Sequence, residues 1–278
     1  MHPADQSPLG KSSQYSGLYT PSLLYPIDRQ PIWQGLGLDP ERLPFQGADV
    51  WNSYEVSWLT PSGKPEVAAV EFVFPLTATA RIVESKSFKL YLNSFNQTVF
   101  RDRAEVLRTL ESDLSVTALA PVMVRVLDMT RLQQLGIARL PGECLDELDV
   151  QIDTYGYNPE LLQLADGAGR PITETLNSNL LKSNCPVTGQ PDWASVMISY
   201  TGPALDRASV LRYLVSFREH ADFHEQCVER IFLDLQRVLG QGSELTVYAR
   251  YLRRGGLDIN PWRSTQAGMP DNLRLARQ

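Results

Sequence analysis

The chain is organised around the stretch Ser183-Asn184-Cys185-Pro186-Val187-Thr188-Gly189-Gln190-Pro191-Asp192-Trp193, which contains Cys185 and, seven positions later, Asp192. Two prolines and a glycine exclude a helix here and predict a tight loop, in which the thiol and the carboxylate fold back toward each other. Such a pair suits covalent catalysis, because a thiolate is a good nucleophile and a protonated carboxyl group against an apolar wall, such as Trp193, delivers a proton. The same two residues also fit a buried structural cysteine beside a loop aspartate.

The composition is that of an ordinary globular protein with enough residues for two domains. The chain has 278 residues, 43% of them apolar, and a formal net charge of -6, which argues against nucleic acid or an anionic membrane surface as the main partner. No run reaches the roughly eighteen apolar residues that a membrane span needs. Three cysteines without a secretory signal predict a reduced, cytoplasmic protein without disulfides, in which Cys144 and Cys227 fill the core.

The first half of the chain predicts an arm and then an α+β module. The segment before residue 46 is rich in Pro, Ser, Gly and Tyr and has no helical or strand period, so it is interpreted as a surface arm. Hydrophobic periodicity then predicts two strands joined by a hairpin loop, two helices and a further strand. These elements are expected over residues 54–59, 67–74, 84–95, 101–114 and 116–127.

The second half predicts the same plan of elements after a polar connector. A strand, two helices and a last strand are expected over residues 194–200, 206–220, 223–239 and 245–251. This repetition predicts two α+β modules that share a sheet or barrel. The resulting domains are an arm over 1–45, a first module over 46–135, a connector over 136–178 and a second module over 179–278.

Four separate motifs of the chain together resemble one protein family. They are the stretch around Cys185, Glu84-Ser85-Lys86-Ser87-Phe88-Lys89-Leu90-Tyr91, Phe223-His224-Glu225, and Arg254-Gly255-Gly256-Leu257-Asp258-Ile259-Asn260-Pro261. The family is QueF, the NADPH-dependent 7-cyano-7-deazaguanine reductases, in its long, two-module type. The resemblance covers most of the chain from Leu24-Tyr25-Pro26 onward.

The resemblance implies a fold and an activity. The fold is the tunnelling fold, or T-fold, with two tandem modules that each have an antiparallel sheet and two helices. The activity is a step of queuosine biosynthesis, which makes a modified tRNA nucleoside, and in this step a nitrile becomes a primary amine. The family likeness also implies a homodimer, with 7-cyano-7-deazaguanine and NADPH as its partners and no nucleic acid or membrane.

The catalytic roles follow from this resemblance. Cys185 would add to the nitrile carbon and form a thioimide, Asp192 would protonate the nitrogen, and His224 would be the second proton-handling group. Two NADPH molecules used in turn would deliver two hydrides, so that four electrons are transferred without a metal. By itself, His224 also fits a merely solvated residue at the start of a helix.

Two sets of residues are predicted to hold the ligands. Glu84 and Glu225, with Ser85, would bind the deazaguanine, because a carboxylate accepts two adjacent N–H donors, and the pocket is then expected at a junction between modules or subunits. A helix-start glutamate favoured by the macrodipole is the alternative for both. The residues expected to bind the cofactor are Lys86, Ser87, Lys89, Arg253, Arg254 and Arg263.

Three other functions stay open. A zinc cyclohydrolase on the same fold would use ligand types found at Cys185, His224 and Cys227, although the chain has only three histidines. A cysteine nitrilase or amidase would use a Cys-His-Asp arrangement and release ammonia without NADPH. A non-catalytic purine-binding module would keep its function after Cys185→Ala.

Overall fold

Short polar turns separate long strands from amphipathic helices along the chain, and the computed structural model describes Ser7 and residues 15–278. The strands are β1 (Pro26–Asp28), β2 (Gln46–Leu59), β3 (Pro65–Pro75), β4 (Arg81–Val83), β5 (Met123–Leu127), β6 (Glu143–Cys144), β7 (Ile172–Asn184), β8 (Pro191–Gly202), β9 (Glu244–Tyr251) and β10 (Leu257–Ser264). The helices are α1 (Gln30–Gly35), α2 (Ser85–Asn93), α3 (Arg103–Ala118), α4 (Met129–Leu135), α5 (Arg207–Ser216) and α6 (His224–Leu239). Among the described helices, none has the length and apolar content to cross a membrane.

The chain divides into two compact units. The first consists of Met1–Leu43, Asp49–Gly136 and Arg253–Asp258, and the second of Pro44–Ala48, Ile137–Leu252 and Ile259–Gln278. Apart from the three-residue β4 between β3 and α2, two strands, two helices and a strand follow one another in each unit, as β2-β3-α2-α3-β5 and as β7-β8-α5-α6-β9. The predicted α+β class with antiparallel strands is therefore confirmed.

In the first unit, helix α2 is fixed by aromatic side chains of the sheet. Phe88 on α2 lies 5.1 Å, between ring centroids, from both Trp51 on β2 and Phe72 on β3. Phe74 lies 5.1 Å from Trp51, and all four side chains are buried. Each such edge-on pair adds about 0.5–1.5 kcal/mol to the burial of the rings. The start of α2, where the Glu84 motif lies, therefore has a defined position on this unit.

The described part of the predicted arm is tied to the same helix. The Tyr19 hydroxyl donates to Asp113 at 2.7 Å, and the Tyr91 hydroxyl of α2 donates to the same carboxylate oxygen at 2.6 Å. The Glu84 N–H donates to the Tyr25 carbonyl at 2.8 Å. The arm contains β1 and α1, whose three and six residues are too few to show a period in the sequence. Residues 1–6 and 8–14 of the predicted arm lie outside the described residues.

In the second unit, strands β10, β9, β8 and β7 lie side by side in that order, and the two-residue β6 adds to β7 in parallel. The pairs β9–β10, β8–β9 and β7–β8 are antiparallel. Helix α6 buries Val228, Ile231, Phe232 and Leu235 at the helical spacing that the sequence predicts. This sheet and helix together position the Cys185 segment.

Three predicted elements were wrong in extent. The strand expected from residue 116 begins only at Met123, because α3 continues through Ala118, which is buried, while Val116 is exposed. The predicted connector contains β6 and the start of β7, helix α4 lies just before it and was not predicted, and the strand predicted as the last one is followed by β10. Strands β7 and β10 bury polar side chains such as Asn177 and Arg263, so they lack the apolar alternation on which the prediction depended.

Candidate active site

The Cys185 segment is a hairpin turn between β7 and β8, which supports the predicted fold-back. In this pairing Ser183 lies opposite Asp192. The Cys185 N–H donates to the Gln190 carbonyl at 2.8 Å, and the Gly189 N–H donates to the Cys185 carbonyl at 2.9 Å. Gly189 has a φ of 68°, a left-handed conformation that glycine adopts without strain.

Strand pairing places the side chains of Cys185 and Asp192 on one face of the hairpin. Cys185 lies opposite Gln190, two positions from Asp192, and such diagonal neighbours have Cα atoms about 7–8 Å apart. Both side chains are buried, with exposed fractions of 7% and 3%. Trp193 faces the opposite side of β8, where the Arg218 guanidinium lies 5.4 Å from its ring centroid. The expectation that Trp193 forms the wall against Asp192 was therefore wrong.

His224 is brought to Asp192 by the start of helix α6. Phe223 is the N-cap residue, and its N–H donates to the Gln226 side chain at 2.9 Å, which defines where the helix begins. His224 is the first helical residue, and its Nε2 lies 3.8 Å from Asp192 Oδ1. This distance exceeds a hydrogen bond, but catalytic contacts commonly shorten when a substrate binds. The imidazole and the carboxylate are thus neighbours on the face that also contains Cys185.

The wall of this site is formed by Tyr251, which sequence reasoning did not single out. Tyr251 lies opposite Ala194 in the β8–β9 pairing, and alternation therefore places it on the face of Asp192. Its ring centroid is 4.1 Å from that of His224, at an interplanar angle of 70°. Burial raises the pKa of Tyr251 well above its usual value, so the phenol stays protonated. The regular alternation of β9 predicted that Tyr251 is buried, but nothing in the sequence indicated its neighbours.

The other two cysteines differ from each other. Cys227 on α6 is fully buried, and burial raises the pKa of its thiol to about 12, which leaves it a neutral core residue as predicted. Cys144 is exposed, so the prediction that it fills the core was wrong. Cys185 therefore stays the predicted nucleophile among the three cysteines.

The two predicted substrate carboxylates have different surroundings. Glu225 follows His224 in the first turn of α6 and is 2% exposed. Glu84 is the N-cap residue of α2, where its two carboxylate oxygens accept from the N–H groups of Lys86 at 2.6 Å and Ser87 at 2.7 Å. Burial raises the pKa of the Glu84 carboxyl group. The contacts of Glu84 fit the capping alternative, whereas Glu225 lies beside the His224 site. Ser85, the first residue of α2, is half-buried.

Two of the residues predicted to bind the cofactor, Ser87 and Arg263, form hydrogen bonds within the protein. The Ser87 hydroxyl donates to the Glu84 carbonyl at 2.6 Å and accepts from the Tyr25 N–H at 3.0 Å. Arg263 is fully buried, and its Nη2 and Nε donate to Glu229 Oε1 at 2.7 Å and 3.1 Å. Neither side chain presents its polar atoms to a ligand, so these positions do not fit the expectation that they bind a cofactor phosphate.

Four other cations of the predicted set lie on the first unit and are at least partly exposed: Lys86, Lys89, Arg253 and Arg254. Gly255 has a φ of 58°, and a Cβ atom at this position would lie 3.2 Å from Lys89 Cδ. The glycine thus lets the Arg254 turn approach the lysine closely. The Arg253 guanidinium lies 4.5 Å from the Tyr54 ring centroid. These side chains fit a phosphate-bearing cofactor by charge and exposure.

One group of potential metal ligands is found in the described part of the chain. His220, Asp222 and Cys227 have ligand atoms within 4.8 Å of one another. Arg230 donates to Asp222 Oδ2 from Nε at 3.1 Å and from Nη2 at 3.0 Å, and His220 Nε2 lies 2.6 Å from the same oxygen. A guanidinium on this carboxylate and a thiol with a pKa of about 12 do not fit a divalent cation. The group also lacks Cys185 and His224, which the zinc alternative requires.

Two protein-family models match the chain. The first, described as nitrile reductase, 7-cyano-7-deazaguanine-reductase N-term, matches residues 15–126. The second, described as QueF-like protein, matches residues 191–269, and the two together cover more than half of the chain. The first match includes the Glu84 motif, and the second includes Asp192, His224 and Arg254. Cys185 lies just before the second match.

Proposed function

Because this chain belongs to the QueF family of nitrile reductases, we propose that it reduces the nitrile of 7-cyano-7-deazaguanine to an aminomethyl group with NADPH, as a step of queuosine biosynthesis. The observation that supports this proposal best is the shared face of Cys185, Asp192 and His224. It provides a nucleophile, an acid and a second proton-handling group around one buried position.

Cys185 is the proposed nucleophile. A nitrile carbon is a weak electrophile, and addition of the thiolate converts it into a thioimide, in which carbon and nitrogen share a double bond. The burial of Cys185 at the hairpin turn keeps water from hydrolysing this adduct. The ordered turn also holds the sulfur atom in place, which lowers the entropic part of the barrier.

Asp192 and His224 are the proposed proton donors. Asp192 lies diagonally across the hairpin from Cys185, so its carboxyl group is suited to protonate the nitrogen while the sulfur atom adds to the carbon. His224, with its Nε2 3.8 Å from the Asp192 carboxylate, is suited to return a proton to the site in the later step. The first hydride would convert the thioimide into a tetrahedral adduct, and cleavage of its carbon–sulfur bond would release the Cys185 thiolate and leave an imine. The second hydride would reduce this imine to the amine.

Glu225 is the proposed acceptor for the base. The edge of the deazaguanine presents an N–H and an NH₂ group, and one carboxylate accepts both. Glu225 adjoins His224 in the first turn of α6, so the same helix start would orient the base and the proton donor. A contribution of Glu84 and Ser85 to base binding stays a prediction from the sequence.

NADPH would be held through its phosphates by Lys86, Lys89, Arg253 and Arg254, which combine positive charge with exposure. When bound, it supplies one hydride in each of the two reduction steps. The T-fold and a cytoplasmic homodimer remain family-based predictions.

The test is NADPH absorbance followed with 7-cyano-7-deazaguanine, with guanine as the control substrate. We expect oxidation of two NADPH molecules for each nitrile consumed. Cys185→Ala should abolish both this turnover and the absorbance of the covalent adduct that wild type forms without NADPH. Asp192→Asn should lower the rate of adduct formation by about 10²-fold or more, since a positioned acid contributes that much.

The same assay separates the alternatives. Release of ammonia from the nitrile without NADPH oxidation would indicate a cysteine hydrolase. Binding of the base with unchanged affinity by Cys185→Ala, and no turnover by wild type, would indicate a binding module. Turnover that is lost on metal chelation and restored by zinc would support the cyclohydrolase class. Any of these results contradicts the proposed function.

A further inference from the structure

We propose that Tyr251 is a positioning residue, whose ring holds the His224 imidazole against Asp192. The inference rests on the proposed function and deepens it, since it assigns a role to a side chain outside the four motifs that resemble the family.

The first observation is the contact between the two rings. Their centroids are 4.1 Å apart at 70°, an edge-to-face arrangement in which the partly positive edge of one ring meets the face of the other. The His224 side chain is 16% exposed, so on one side it borders space that a ligand could enter. The Tyr251 ring therefore restrains the His224 imidazole, which would otherwise populate several rotamers.

The second observation is that the Tyr251 side chain is buried on a paired strand. The side chain is 1% exposed, and its hydroxyl lies among Ser183 and Cys227 in the interior of the second unit. The Tyr251 carbonyl accepts from Gln278 Nε2 at 2.9 Å, in addition to the pairing of β9 with β8. A buried ring whose backbone is held by these hydrogen bonds is a rigid wall for the imidazole.

The third observation is the position of His224 in its helix. As the first residue of α6, it has no preceding helical turn to limit its χ1 angle. An edge-to-face aromatic contact corresponds to a population ratio of roughly 2- to 12-fold. Loss of the ring should therefore reduce the fraction of His224 that lies beside Asp192 by roughly 2- to 12-fold.

The experiment compares three variants with wild type. Tyr251→Phe keeps the ring and removes the hydroxyl, and Tyr251→Leu removes the ring. Tyr213→Leu is the matched control, because Tyr213 is a fully buried tyrosine of α5, a different helix from that of His224, and its hydroxyl donates to Asp234. For each protein we would measure kcat, adduct absorbance without NADPH and the midpoint of unfolding.

We expect Tyr251→Phe to keep the kcat of wild type, and Tyr251→Leu to lower it by roughly 2- to 12-fold. The amplitude of the adduct absorbance should be unchanged in Tyr251→Leu, because adduct formation uses Cys185 and Asp192. Tyr213→Leu should lower the unfolding midpoint without lowering the kcat of the folded enzyme. Equal loss of adduct and turnover in Tyr251→Leu, or an equal loss of kcat in Tyr213→Leu, would overturn the inference.

A second measurement does not depend on activity. The chain has three histidines, so the imidazole proton signals in an NMR titration are few, and His224→Asn assigns the relevant one. The ring current of Tyr251 should displace the His224 signal in wild type and in Tyr251→Phe, and the displacement should disappear in Tyr251→Leu. A His224 signal that is the same in all three proteins overturns the inference. Wild type that shows the displaced signal but does not oxidise NADPH refutes the proposed function and leaves the ring contact supported.

Discussion

The buried pair of Arg263 and Glu229 allows a direct test of whether Arg263 serves stability or cofactor binding. Replacing Glu229 with Gln keeps the shape of the side chain and removes its charge. Arg263 and Glu229 are 0% and 1% exposed, so the variant would leave a guanidinium charge in the interior of the second unit without its counter-ion. Removing one partner of a buried ion pair destabilises a protein by about 3–5 kcal/mol.

The other contacts of Arg263 support a loss of about 3–5 kcal/mol in the free energy of unfolding. Arg263 Nη1 donates to the Trp262 carbonyl at 2.8 Å, and the guanidinium also lies 5.8 Å from the Phe45 ring centroid. These contacts hold the Arg263 guanidinium in the protein interior after Glu229 is replaced, so its charge stays desolvated. With an m-value of about 2 kcal/mol/M in urea, a loss of 4 kcal/mol lowers the unfolding midpoint by about 2 M.

The assay is tryptophan fluorescence during urea unfolding, paired with the KM for NADPH at low denaturant. Glu229→Gln and Arg263→Met should both be strongly destabilised, and the KM of the remaining folded enzyme should be unchanged. Arg254→Gln, at a partly exposed cation, should raise the KM about tenfold and leave the unfolding midpoint where it is.

A surface ion pair gives the matched control. Arg237 Nη2 lies 3.3 Å from Glu160 Oε1, and the two side chains are 52% and 76% exposed. Glu160→Gln should change stability by no more than about 1 kcal/mol. If Glu229→Gln is as mild as this control, or if Arg263→Met raises the KM without affecting stability, the reasoning on Arg263 is refuted.

The remaining predictions concern one carboxyl group and one glycine. Because burial raises the folded-state pKa of Glu84 above 4.5, its proton stabilises the fold below pH 4.5, and this stability is lost as the pH rises through the folded-state pKa. Urea midpoints should therefore fall more from pH 4 to pH 8 in wild type than in Glu84→Gln, and an equal fall would contradict the shift. Gly189→Ala should destabilise the Cys185 turn by about 1–2 kcal/mol, since its Cβ has open space but its φ of 68° is left-handed. An unchanged midpoint in that variant would show that the turn adopts another conformation.

Local chemistry explains the part of the site that could be predicted. Proline and glycine act on their own backbone, so the turn that brings Cys185 back toward Asp192 follows from neighbouring residues alone. The start of α6 at Phe223-His224-Glu225 was equally local, because the periodic apolar residues begin directly after it. Helix α3 was predicted for the same reason, from a stripe of leucines at helical spacing that includes the buried Leu110 and Leu114.

The remaining parts of the site depended on contacts between residues distant in sequence. Trp193 was chosen as the wall because it follows Asp192, yet strand alternation turns it to the opposite face, and the wall is Tyr251 from another strand. Strands β7 and β10 were not predicted because they contain buried polar residues, which break the apolar alternation. The burial of these residues depends on partners elsewhere in the chain. A pattern in the sequence shows that a residue is polar. It does not show whether a hydrogen-bond or ion-pair partner elsewhere in the chain allows that residue to be buried.

The family, the α+β class and the hairpin turn with its thiol and carboxylate could be predicted from the sequence, because motifs and turn residues act over short distances. Folding into the tertiary structure leaves Lys89 and Arg254 partly exposed and buries Arg263 in an ion pair, and neither outcome can be predicted from the sequence. The tertiary structure also decided that Glu84 caps a helix and that Tyr251 faces His224. The physical reason is that burial and charge pairing are set by the folded surroundings of a side chain, which its neighbours in sequence do not specify.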